Sequence, residues 1–149
     1  MGSDTVVVVD DEQALLDILH LSLSSHGYKV ITVSNGFRAI DIIKHAKPAI
    51  VLLDIVMPEI NGWEVLRCLE DKSETAGLAI IMISAIPPDH GMNKMLDDNV
   101  LYYQKKPFNF EQLLQKMHSV KNQHNVQDLD VLRNYLSEKR NKYLKEIDL

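Results

Sequence analysis

The chain has 149 residues, 46% of them hydrophobic and 25% charged, and a net charge of -5 at pH 7. That length holds one domain with a real core plus a modest appendage, and the acidic balance speaks against direct binding of nucleic acid, whose phosphates call for clustered Lys and Arg. No apolar stretch approaches the roughly 18 residues needed to span a bilayer, no secretory signal precedes the first strand, and the single cysteine, Cys68, precludes an internal disulfide and fits a reducing cytosol.

The first apolar run, Val6-Val7-Val8-Val9, ends in Asp10-Asp11. Residues 12–25 then place Leu15, Leu16, Ile18, Leu19 and Leu23 on one broad helical face, with His26-Gly27 as the stop. Tyr28 to Val33 alternates as a half-buried strand does. Asn35-Gly36 turns the chain into a second helix carrying Ala39, Ile40 and Ile43, which ends before Pro48. Ala49 to Leu53 runs into Asp54. Pro58 and Asn61-Gly62 mark a loop before a third helix with Trp63, Val65, Leu66 and Leu69, where Cys68 reads as a small apolar helix residue.

Ala79 to Ile83 then runs into Ser84, and Pro87-Pro88 opens a short, poorly patterned fourth helical stretch. Leu101-Tyr102-Tyr103-Gln104 leads into Lys105-Lys106-Pro107. A fifth helix starts near Asn109, an N-cap, and carries Leu113, Leu114 and Met117. Continuous runs rich in Val, Ile and Leu suit strands buried on both faces, and regular β-then-α alternation implies right-handed crossovers. The predicted fold is therefore α/β: a flavodoxin-like, doubly wound, five-stranded parallel sheet of order 2-1-3-4-5.

From about Gln123 the pattern changes. Residues 127–148 contain no Gly or Pro, and Leu129, Leu132, Leu136, Tyr143 and Ile147 recur at helical spacing. This predicts a C-terminal amphipathic helix that packs back on its own domain, forms a homodimer through residues 127–148, or awaits a partner.

Open parallel sheets present their ligand sites at the carboxyl ends of the strands. Asp10, Asp11, Asp54, Ser84 and an ammonium from Lys105-Lys106 are thus predicted to converge on one edge. Carboxylates about 4 Å apart repel by on the order of 4 kcal/mol at an effective dielectric of about 20, so such a cluster raises its pKa values or holds a cation. Mg2+, a hard ion that shares few protein carboxylates with phosphate oxygens and water, suits it.

Val9-Asp10-Asp11-Glu12, Leu53-Asp54-Ile55-Val56-Met57-Pro58 with Asn61-Gly62, Ile83-Ser84-Ala85, and Tyr103-Gln104-Lys105-Lys106-Pro107-Phe108 together resemble the receiver domain of two-component response regulators. The resemblance covers residues 4–122 and leaves 123–149 as a helical extension. It implies a stand-alone, cytoplasmic signalling protein rather than a metabolic enzyme. Asp54 would accept a phosphoryl group from a sensor histidine kinase or a histidine phosphotransfer protein. Asp10, Asp11, Asp54 and the backbone carbonyl of Val56 would hold Mg2+. Lys106 would pair with a phosphoryl oxygen, Ser84 and Tyr103 would form the switch, and Pro107 would be cis. An unnamed downstream protein would read the altered surface, without membrane or nucleic acid.

This sequence departs from the family pattern around Pro87-Pro88 and at Leu96 to Val100, where a small Ala-Gly-Ala-like segment is usual. Val56 and Ile86, two residues after Asp54 and Ser84, are apolar and unable to orient a water, which predicts slow self-catalysed hydrolysis of an aspartyl phosphate. Two rivals stay open: an adaptor that keeps the fold for constitutive binding, and a phosphatase or phosphotransferase with an aspartyl nucleophile. The second lacks the general acid that such hydrolases often carry two residues on, since Val56 stands there.

Overall fold

The computed structural model describes residues 4–69, 78–85 and 100–122. The fourth helical stretch expected after Pro87-Pro88, Ile86, and the helix expected over 127–148 lie outside the described residues. Within them the order is β1 (Thr5–Val9), α1 (Gln13–Ser25), β2 (Lys29–Val33), α2 (Gly36–Ala46), β3 (Ile50–Asp54), α3 (Gly62–Cys68), β4 (Ala79–Ser84), β5 (Val100–Lys105) and α4 (Phe110–Asn122). The strands form one sheet of order β2-β1-β3-β4-β5, parallel throughout, as expected from the alternation of runs.

The unbroken apolar runs now have a physical reason. Successive side chains of a strand point to opposite faces, and here both faces are covered. Val7, Val9, Val51, Leu53, Ile80 and Met82 pack under α2 and α3 with Ala39, Ile43, Val65 and Leu66. Val6, Val8, Ile50, Leu52, Ile81 and Ile83 pack under α1 and α4 with Leu16, Leu19, Leu113 and Met117. β3 and β4 are buried at every position, whereas the edge strand β2 is largely half-buried.

Local chemistry sets the helix ends. Asn35 caps α2, its Oδ1 accepting from the amides of Phe37 (2.8 Å) and Arg38 (3.2 Å). Lys47, in the left-handed region at φ 47°, ends that helix just before Pro48. Asn109 caps α4 through the amide of Glu111 at 2.8 Å, as its sequence position predicts.

Three details differ from the sequence reading. Asn61-Gly62 is not a loop; Asn61 is the N-cap of α3 in a reciprocal capping box with Glu64, and Gly62 is the first helical residue. The apolar face of α1 is narrower than its leucines suggest. Leu16, Leu19 and Leu23 form the buried seam, while Ile18 (59% exposed) and Leu21 (72%) turn outward, because a helix on a sheet buries one stripe and these two lie off it. Cys68, read as an apolar helix residue, is exposed at the end of α3.

Candidate functional site

Every strand of a parallel sheet points its carboxyl end to the same edge, so residues far apart in sequence meet there. β1 delivers Asp10 and Asp11, β3 ends on Asp54, β4 ends on Ser84, and Lys106 follows β5. β1 and β3 are neighbours although α1, β2 and α2 separate them in the chain, which puts their ends side by side at the point where the strand order reverses.

One oxygen from each of Asp10, Asp11 and Asp54 lies within 4.8 Å of the others. Asp10 and Asp54 are buried and Asp11 is exposed, so the cluster opens to solvent on one side. The Lys106 ammonium reaches across it, lying 2.5 Å from Asp10 Oδ2, 3.2 Å from Glu12 Oε1 and 3.5 Å from Asp54 Oδ2. Backbone amides complete the first two carboxylates on the sheet edge: Glu12 donates to Asp10 Oδ1 at 2.9 Å, and Val56 donates to Asp54 Oδ1 at 3.3 Å.

The electrostatics follow from this crowding. Burial, reinforced by the charge of Asp10, raises the pKa of Asp54 to about 6, against the opposing pull of Lys106 and the Val56 amide. Burial alone would depress the Lys106 ammonium. Its hydrogen bond to Asp10, together with the charges of Asp10 and Asp54, outweighs that and raises its pKa instead. Lys106 therefore stays charged, yet one ammonium does not compensate three carboxylates. The remaining need is for a cation with a taste for oxygen, and an all-carboxylate set that is partly open to solvent fits a hard divalent ion such as Mg2+.

Two further contacts tie the edge together. The carbonyl of Ser84, a fully buried residue, accepts from the Lys106 amide at 2.8 Å and from the Tyr103 hydroxyl at 3.4 Å. Tyr103 itself is half-buried, packed against the core that lies under α2 and α3. The Lys106–Pro107 peptide is cis, as the resemblance implies. The site residues named from sequence thus come together, with Val56 at the mouth, its side chain 51% exposed.

Sequence reasoning gave no role to three participants. Glu12 adds a second carboxylate to Lys106; its adjacency to Asp10-Asp11 was the available signal. Gly62 packs so closely on β3 that a Cβ there would strike the carbonyl oxygen of Asp54. Its amide also donates to the Ile55 carbonyl at 2.8 Å. Lys116 of α4 donates to Gln104 Oε1 at 2.5 Å and to the Tyr103 carbonyl at 3.2 Å, and burial lowers its pKa. Nothing local to Lys116 signals that bond, which depends on how α4 lies on β5.

Comparison with known proteins agrees with this geometry. The family model for the response regulator receiver domain matches residues 6–118. Response regulator MprA of Mycobacterium sp. (strain KMS) is 35% identical over 115 residues, which are 77% of this chain and 49% of that protein. The chain thus spans about half the length of the curated relatives it matches. A CheY-like receiver domain protein from Methanospirillum hungatei JF-1 is 35% identical, with a TM-score of 0.69 over 80% of this chain and 98% of its own. The response regulator TrrA of Thermotoga maritima, solved in complex with Mg(2+)-BeF, is 30% identical, with a TM-score of 0.65 over 78% of this chain and 97% of its own. By its sheet order, its converging strand ends and the match over residues 6–118, the chain belongs to the response regulator receiver domain family.

Proposed function

We propose that the chain is a phosphorylation switch of a two-component system in which Asp54 accepts a phosphoryl group from a phosphohistidine. The observation that carries this reading is the state of Asp54. It is buried and crowded by Asp10, and Lys106 lies 3.5 Å from its Oδ2 but 2.5 Å from Asp10, so the charge of Asp54 is only partly compensated. In the transfer a P–O bond forms to a carboxylate oxygen of Asp54 as the donor's P–N bond breaks. The departing imidazole keeps the bonding pair and is neutralised by a proton.

Asp10, Asp11, Asp54 and the backbone carbonyl of Val56 would hold Mg2+, the ion present in the crystal structure of the Thermotoga maritima relative. When bound, that ion supplies charge neutralisation for the phosphoryl oxygens. Lys106, placed between Asp10 and Asp54, exchanges a carboxylate for a phosphoryl oxygen and so holds the product. The Ser84 hydroxyl donates to the same group. Because the Ser84 carbonyl carries both Tyr103 and the Lys106 amide, a shift of Ser84 is transmitted to β5. The changed β5 surface is what a downstream protein reads. No metabolite is turned over, and the donor is a sensor histidine kinase or a histidine phosphotransfer protein in the cytoplasm. Among the described residues, no helix is long and apolar enough to cross a membrane.

Purified protein incubated with Mg2+ and acetyl phosphate should gain the mass of one phosphoryl group. The gain should require Mg2+, vanish in Asp54→Asn, and outlast seconds, since apolar Val56 and Ile86 offer no hold on an attacking water. Absence of any gain from acetyl phosphate and from a phosphohistidine donor alike would overturn the reading in favour of a constitutive adaptor.

A further inference from the structure

α1 presents two large apolar side chains, Ile18 and Leu21, outside its buried seam. A groove of about 450 Å³ runs between α1 and the connection from β5 to α4, lined by Leu15, Ile18, Phe108 and Phe110. Glu12 and Lys106 close the end nearest the carboxylate cluster. Ile18 and Leu21, one turn apart on α1, are both exposed beside it. We propose that residues 127–148 of this same chain fold back along α1 as an amphipathic helix and fill the groove.

Three observations favour this occupant. The first is reach. α1 and α4 each follow a strand of one parallel sheet, so both run in the same sense, away from the site edge. The rings of Tyr28 and His118 lie 6.3 Å apart and those of His26 and Phe110 5.5 Å apart, which sets α4 beside the foot of α1. A chain leaving Asn122 has residues 123–126 in which to turn, an ordinary length for a helical hairpin. At 1.5 Å per residue the returning helix is roughly 33 Å long and α4 roughly 20 Å. The return therefore retraces α4 and has about nine residues left over, from about Arg140 to Asp148, to lie in the groove.

The second is shape and polarity. Leu129, Leu132, Leu136, Tyr143 and Ile147 repeat at three-, four- and seven-residue steps, one stripe of a helix, which places Tyr143 and Ile147 in the part that reaches the groove. The third is charge. α1 carries Asp17 and no Lys or Arg, and exposed Asp11 and Glu12 precede it. The part of the segment that reaches them holds Arg140, Lys142 and Lys145 against Glu146 and Asp148, a net positive charge. Covalent attachment through a short linker gives an effective concentration in the millimolar range, so at micromolar protein the tethered segment outcompetes a second copy.

The docked segment would stand at the rim of the carboxylate site, but its docking is independent of phosphoryl chemistry. The test uses the full-length chain with Cys68→Ser and Ser22→Cys, a near-isosteric thiol on the groove wall that leaves Ile18 and Leu21 in place. Alkylation of that thiol should be about tenfold slower than in the same chain carrying Leu136→Asp and Tyr143→Asp, and Tyr143→Phe should keep the protection. Equal rates in the two chains overturn the proposal. So does protection that appears only as protein concentration and sedimentation coefficient rise, which assigns the groove to a second copy. Protection that persists in the Asp variants overturns it as well, because something other than the segment then covers α1.

Discussion

Two aspartates at the ends of adjacent strands, equally buried, are held in different ways. At the end of β1, Asp10 is saturated: one oxygen takes the Glu12 amide at 2.9 Å and the other the Lys106 ammonium at 2.5 Å. At the end of β3, Asp54 has the Val56 amide at 3.3 Å and Lys106 no nearer than 3.5 Å, and its pKa is raised to about 6. The pair shows how one lysine can make two like residues unlike. By leaning on Asp10 it fixes its own position, and it leaves Asp54 under-compensated, which is the condition for a carboxylate that must take on a phosphoryl group and cation together.

Lys106→Ala tests the shared partner and carries the largest stability effect. It strips Asp10 and Asp54 of their ammonium at once and should destabilise the metal-free protein by about 2 kcal/mol, below the usual cost of breaking a buried pair because the site opens to solvent. Denaturant titrations should show much of that loss restored by excess Mg2+, as expected for a ligand of the folded state. No loss would mean that Lys106 does not anchor the edge.

Gly62→Ala attacks the β3 end from behind. Alanine is ordinarily the better helix former, yet here its Cβ meets the backbone of Asp54 and Ile55, so β3 or α3 must shift. A destabilisation of about 1–2 kcal/mol, with slower labelling by acetyl phosphate, is expected. A more stable variant would contradict the close packing.

The sharpest test of the comparison is a change of sign. Asp54→Asn should stabilise the metal-free protein at pH 7 by about 1 kcal/mol, because it removes a buried charge that its surroundings penalise. Asp10→Asn should destabilise it by about as much, since Lys106 then loses its nearest counter-charge. Thermal melts that moved in the same direction would erase the distinction. Smallest of all, Tyr103→Phe should cost no more than about 0.5 kcal/mol, given the length, 3.4 Å, of its hydroxyl's bond to the Ser84 carbonyl. Its effect belongs instead in the response of β5 to phosphorylation, readable from amide shifts of Gln104 and Lys105.

Most of the fold could be read from the chain because the signals are local and redundant. Val6 to Val9, Ile50 to Leu53 and Ala79 to Ile83 are apolar without interruption, which only a sheet covered on both faces explains. The acidic and hydroxyl residues at the ends of those runs pointed to the site for the same reason. The misses are equally physical. Asn61-Gly62 looks like a turn until Glu64 is recognised as the other half of a capping box. Ile18 looks like a core residue because hydropathy does not say how wide a stripe the sheet below will bury.

The sequence by itself determined the α/β class, the capping of α4, and the identity of the residues that gather at the carboxyl edge, since each rests on periodicity and residue chemistry within a few positions. Only the tertiary structure decided that Lys106 would bind Asp10 more closely than Asp54, that Glu12 would share it, that Gly62 would lie against Asp54, and that Ile18 and Leu21 would fall outside the buried seam of α1. Those outcomes depend on distances of a few tenths of an ångström between elements far apart in the chain. Such distances are set by how the helices and sheet pack as whole bodies, not by any local preference.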